Sequence, residues 1–138
     1  MNNSLLTEKS TLTLVAAKKI IAAAEAEALK HTWPVVIAVV DDGGNLICLQ
    51  RLDNAQFGSV DIAIQKAKSA VAFKRPTKAW EELLTSGQQR VLGLPGVLPS
   101  EGGVPLAWKG QIIGAIGVSG VKANEDGQIA RAGAAILE

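Results

Sequence analysis

Cysteine is nearly missing from this chain: Cys48 is the only one in 138 residues. No internal disulfide can form, and no thiolate metal site can be assembled within one chain. A lone thiol in an apolar run suits a reducing compartment, so the expected location is cytoplasmic. Histidine is as scarce, with His31 standing alone. A two-histidine site within the chain is therefore excluded. Tyrosine is absent, and three Trp and two Phe bring aromatics to only 4%. Charge of one sign is also lacking. Fourteen basic and thirteen acidic side chains leave +1, which gives no electrostatic reason to expect nucleic acid or a membrane surface as partner. No apolar run approaches the ~18 residues that span a bilayer. The first ten residues show no basic start followed by a long apolar stretch, so no signal peptide is read.

What is present is aliphatic. Hydrophobic residues make up 48% of the chain, enough for a core of Ala, Val, Ile and Leu. The length fits one domain, expected over residues 11–138 behind a loose segment, 1–10. Leu14, Ala17, Ile21, Ala24 and Ala28 recur at helical steps and predict a helix from Thr11 to about Lys30, capped by Ser10 or Thr11. Trp33-Pro34 ends it. Val35 to Asp41 is apolar on both faces and reads as a central strand covered on both sides. The turn Asp42-Gly43-Gly44-Asn45 returns the chain into an antiparallel strand, Leu46 to Leu52. Ser59 opens a helix to about Phe73, with Ala63, Ala67 and Ala70 as a small-residue face. Thr77 is placed to cap a short helix that Gly87 stops. Residues 88–101 read as a long loop, with room for a short strand near Val91. A second hairpin follows, Val104–Trp108 and Gln111–Ser119, turning at Lys109-Gly110. Asn124 is placed to cap a last helix with Ile129, Gly133 and Ile136 inward. Two hairpins separated by helices imply an antiparallel sheet and an α+β fold.

Glycines inside the last strand carry the strongest local signal. Gly114, Gly117 and Gly120 sit where a strand is weakened by them, unless another backbone or a ligand comes close. They point either to a helix packed tightly on the strand or to a bound molecule. No P-loop follows them, and the spacing is not that of a dinucleotide loop.

Few residues offer chemistry. His31 has two readings: a haem or metal ligand or general base, or a polar residue closing the first helix, where an imidazolium favours the dipole. Asp41, Asp42 and Asp53 surround the first hairpin and read more simply as turn residues than as a catalytic group. Ser119 is not in a Gly-x-Ser-x-Gly elbow. Cys48 reads as an inert thiol. Arg75-Pro76-Thr77 places a guanidinium beside a helix N-terminus, which suits a carboxylate or phosphate. A solvated or ion-paired Arg75 at a capped turn is the equal alternative. With Gly102-Gly103 nearby, the segment would form an anion-holding mouth.

Several segments together carry a resemblance. They are Val39-Val40-Asp41-Asp42-Gly43-Gly44-Asn45-Leu46, Arg51-Leu52-Asp53-Asn54-Ala55, Asp61-Ile62-Ala63-Ile64-Gln65-Lys66-Ala67, Arg75-Pro76-Thr77, Gly102-Gly103-Val104-Pro105, Ile113-Gly114-Ala115-Ile116-Gly117-Val118-Ser119-Gly120 and Asp126-Gly127-Gln128-Ile129-Ala130-Arg131-Ala132-Gly133. From about Thr11 to Leu137 the chain resembles the GlcG/HbpS-like proteins, the haem-degrading domain family. It is similar as well to the C-terminal domain of PduO-type cobalamin adenosyltransferases. The resemblance implies a profilin-like fold, with about five antiparallel strands and helices on both faces. It implies homo-oligomers, tetramers or octamers, and a small-molecule ligand. Haem or another tetrapyrrole leads, with a role accessory to a catabolic operon. The expected ligand residues are Arg75, Thr77, Gly102, Gly103, Gly114, Gly117 and His31. No catalytic residue and no protein-held metal is expected. Two alternatives stand beside this reading: an enzyme acting on a small metabolite or in haem breakdown, and an assembly protein without a ligand. The lack of a nucleophile-base pair argues against the enzyme.

Overall fold

Two β-hairpins, one from each half of the chain, lie side by side in one sheet. The computed structural model describes residues 4–138. Of the N-terminal segment expected to be loose, residues 1–3 lie outside the described residues. The elements are α1 (Leu14–Lys30), β1 (Val36–Asp41), β2 (Leu46–Arg51), α2 (Gly58–Phe73), α3 (Thr77–Thr85), a 3-10 helix (Gln89–Gly93), β3 (Gly103–Trp108), β4 (Gln111–Ser119) and α4 (Ala123–Ala134). A 3-10 turn over Ala135–Leu137 closes the chain. The strand order is β2-β1-β4-β3, and every neighbouring pair is antiparallel. The fold is α+β. Among the described residues the sheet has four strands, so the count of about five is corrected to four.

Strand alternation sorts the side chains to two faces. Ile37, Val39, Leu106, Ile116 and Val118 meet α1 and α4 in the larger core. Val36, Ala38, Val40 and Ala115 point the other way, onto Ala63, Ala67 and Ala70 of α2. β1 is buried from Val36 to Val40, as its two apolar faces require. The first hairpin is held by Asp41, whose Oδ1 accepts from the backbone N–H of Gly43 and Asn45, each at 2.9 Å. In the second, Lys109 (φ 49°) and Gly110 (φ 78°) both take positive φ, the two-residue turn that matches strand twist.

Helix ends depart from the sequence reading. The cap of α1 is Thr13, whose hydroxyl accepts from Ala16 N–H at 3.1 Å, not Ser10 or Thr11. Leu14 is half exposed and Ile20 takes its place in the core. Pro76 occupies the cap position of α3, because Thr77 is one residue inside the helix. Lys122 precedes α4, and its N–H donates to Glu125 Oε1 at 3.2 Å, so Asn124 lies within the helix. Val91 is buried in the 3-10 helix and not in a strand. Ile136 is exposed, because the last turn tightens and swings it outward.

Candidate functional site

The segment Glu101-Gly102-Gly103 runs between α2 and α4, and its contacts explain its composition. Gly102 has φ +137°, and a Cβ there would lie 2.5 Å from the Val118 carbonyl oxygen and 2.8 Å from Lys66 Nζ. A Cβ on Gly103 would overlap the Lys66 carbonyl. Gly103 N–H donates to Thr77 Oγ1 at 2.9 Å, which satisfies the fully buried threonine. Glu101 N–H donates to Glu81 Oε1 at 3.0 Å. The Glu101 carboxylate lies over Gly127, where any Cβ would overlap it, and Arg131 Nη1 donates to its Oε2 at 2.8 Å.

In front of this wall opens a cleft of about 400 Å³, lined by Pro76, Lys78, Glu101, Val104, Arg131 and Glu138. The volume is within the range of small-molecule sites. The Arg131 side chain is 54% exposed while Glu101 is 7% exposed, so the guanidinium spans from a buried carboxylate to solvent. Its donor fork is wider than the one bond to Glu101 uses. Lys78 supplies the second cation, loosely paired with Glu82 at 4.0 Å along α3.

The expected ligand residues scatter. Gly102 and Gly103 form the wall, and Thr77 is locked behind it. Arg75 does not line the cleft: its Nε donates to the Phe73 carbonyl at 3.2 Å and its guanidinium lies 4.6 Å from the Trp80 ring centroid. Gly114 and Gly117 face no opening. A Cβ on Gly117 would overlap the backbone of Ala63 and Ala67 in α2, and one on Gly114 would overlap the Val40 carbonyl. Of the two readings of those glycines, the chain's own helix and neighbouring strand are the close neighbours. His31 closes α1, as the simpler reading has it. It stacks on Trp33 with ring centroids 4.1 Å apart. Its Nε2 is 3.3 Å from Glu27 Oε2 and 3.3 Å from Gln128 Nε2. Gln128 and Arg131 are three apart on α4, so they share one side of that helix. His31 thus stands about one helical turn from the cleft.

Sequence reasoning missed Lys78, Glu101 and Arg131, and also a buried ion pair. Lys66 Nζ donates to Asp126 Oδ2 and to the Val118 carbonyl, each at 3.0 Å, with both side chains 3% exposed. Burial pushes the Asp126 carboxyl up, and the Lys66 ammonium beside it draws it back. The pair pins α2 and α4 to the end of β4 and thereby sets Arg131 opposite Glu101. No local signal reveals these partners, because they are 30 and 60 residues apart.

Other chemistry is thin. Among the described residues no three His, Cys, Asp or Glu side chains converge on a metal position, and no helix is long and apolar enough to cross a membrane. Ser119 and Ser59 share a buried hydroxyl contact at 3.2 Å, while the single imidazole is engaged with Glu27 and Gln128.

The family described as haem degrading protein, HbpS-like, matches residues 12–135. The chain belongs to the HbpS-like family. Protein GlcG of Escherichia coli K12 is 45% identical over 103 residues, 75% of this chain and 77% of GlcG. A double mutant of Streptomyces reticuli HbpS is 38% identical over all of this HbpS-like chain and 94% of its own, with a TM-score of 0.88. A haem complex of PduOC is 27% identical, covers 94% of this chain and 96% of its own, and has a TM-score of 0.83.

Proposed function

We propose that this HbpS-like chain binds a small anionic molecule, with haem or another tetrapyrrole the leading class, in the cleft between α3, the Glu101–Val104 wall and α4. The observation that carries the reading is the likeness to PduOC, a protein whose structure is a haem complex. Lys78 and Arg131 suit the two carboxylates on one edge of a tetrapyrrole, and Pro76 and Val104 offer apolar surface beside them. The lining holds no imidazole or thiolate, so these residues fit the acidic edge of the macrocycle and not its iron. A bound haem would supply redox-active iron, and this chain's side chains would bind and orient the edge. Thr77, Gly102 and Gly103 act by holding the wall in place. We read the molecule further as a profilin-like, cytoplasmic homo-oligomer accessory to a catabolic operon. A 37% identical relative described as a 15.0 kDa protein of the dhaT-dhaS intergenic region in Citrobacter freundii supports that placement.

Haemin titration of the purified chain tests the reading, with a red-shifted, saturating Soret band expected. Lys78→Ala with Arg131→Gln should weaken it about tenfold or more, the usual effect of losing charged hydrogen bonds. A flat titration removes haem. A full-strength titration in the double variant removes the cleft.

A further inference from the structure

A second cleft shares no lining residue with the first. It holds about 350 Å³ between the last turns of α1 and the turn that follows β2, within the range of small-molecule sites. Glu25 and Leu29 are four apart on α1, so they share one side of that helix. Asp53 and Asn54 enter from the turn, and Trp33 and Leu52 join the lining.

The charge of this lining has one sign. Among the described residues the Glu25 and Asp53 carboxylates and the Asn54 amide have no hydrogen-bond or ion-pair partner. The bases of the same two segments are committed elsewhere. Lys30 reaches Glu27 at 3.2 Å, His31 lies against Glu27 and Gln128, and Arg51 Nε donates to the Ala55 carbonyl at 3.2 Å. The cleft thus offers acceptors and supplies no cation of its own. Beside the acceptors the surface is apolar. Leu29 is 61% exposed, and Trp33 and Leu52 are half-buried. One exposed leucine means little by itself. In one concavity with an indole and a second leucine, it makes a surface that an apolar group would cover. His31 stacks on the Trp33 ring with centroids 4.1 Å apart and so holds its plane.

We propose that this cleft binds a small organic cation, an ammonium carried on an apolar body. A primary ammonium has three donors and no acceptor, and the cleft presents two carboxylates and an amide oxygen. Hydrogen bonds between ionised groups are the strong class. The apolar body lies on Leu29, Trp33 and Leu52. An anion would be repelled by both carboxylates, and a neutral molecule would leave their charge unmatched. The site does not rest on the haem reading: its ligand has the opposite charge, and its lining is separate.

The experiment is a titration of the full, haem-free chain with benzylammonium, followed by backbone ¹H–¹⁵N resonances and by calorimetry. Benzyl alcohol, with the same ring and no charge, is the control. Saturable shifts are expected over residues 25–34 and 52–54, with a dissociation constant on the order of 1 mM, ordinary for so small a ligand. Benzyl alcohol should bind about tenfold more weakly or worse. Glu25→Gln with Asp53→Asn keeps the shape and removes the charge, and should weaken benzylammonium about tenfold or more. Neither side chain holds a bond within the fold, and an unchanged thermal midpoint in the double variant confirms that it folds. No saturation by the natural chain overturns the proposal. Equal binding of benzyl alcohol does so too, because the carboxylates would then play no part. Equal affinity in the double variant would place the cation elsewhere and overturn it as well.

Discussion

Two sets of charges meet α4, and they differ in one respect, access to water. Lys66 and Asp126 are sealed, each 3% exposed. Arg131 and His31 are open, at 54% and 39%. The sealed pair is bonded within the chain, Lys66 to Asp126 and to the Val118 carbonyl, so it acts as a fastener. Arg131 has donors to spare, so it is where another molecule can act. A charged residue in this fold is thus read by its exposure before its identity.

Removing one member of the sealed pair should have the largest effect. Lys66→Met leaves Asp126 buried and uncompensated, which costs about 3–5 kcal/mol in comparable pairs. Denaturant unfolding measures it. Adding Asp126→Leu should recover most of the loss, and failure to recover would mean that the pair contributes more than mutual neutralisation. Next is Gly117→Ala, which drives a methyl into the backbone of α2. Overpacking against backbone predicts a loss of about 3 kcal/mol, read as a lower thermal midpoint. An unchanged midpoint would show that α2 yields, and that the small-residue face is slack.

Acid sharpens the contrast with a smaller effect. Hydrogen bonds from Gln128, then Lys30 and His31, hold the Glu27 carboxyl down to about 2, against an ordinary 4.5. A lowered value means that folding favours the ionised form, so this stabilisation is complete above pH 4.5 and fades as pH falls toward 2. Asp126 has the opposite sign. Its carboxyl is raised by burial, so folding favours its neutral form, and its ionisation as pH rises works against the fold. Glu27→Gln should therefore flatten the acid limb of a stability-against-pH curve. The smallest effect is expected at Lys9→Ala. That side chain is exposed and pairs with Asp42 at the surface, so the unfolding midpoint should not move.

Much of the fold was legible because it is written locally. The bounds of β4 follow from an apolar run between a Lys-Gly turn and Ser119-Gly120, and β1, expected from Val35 and found from Val36, follows from two apolar faces. His31 was legible as the end of a helix. The caps were not, because Thr13, Lys122 and their neighbours compete within two or three residues for the same role. Gly114 and Gly117 announced a close approach, but a missing side chain does not say what approaches. The cleft was half legible. Gly102, Gly103 and Thr77 were singled out and do build its wall, whereas Arg75, the guanidinium that sequence favours, turns back onto Trp80. Arg131 takes its place, from α4, which packs on Glu101 at Gly127 and is 30 residues away in the chain.

The pairing of β1 with β4 has a consequence for how the molecule is assembled. Val36 lies opposite Ser119 across the seam, so the two halves of the chain are stitched along the middle of the sheet. Each half carries a complete hairpin, and the link between them begins with the exposed stretch Thr85–Arg90. A cut near Ser86-Gly87 should leave two fragments that reassociate when mixed, with the seam as their shared core.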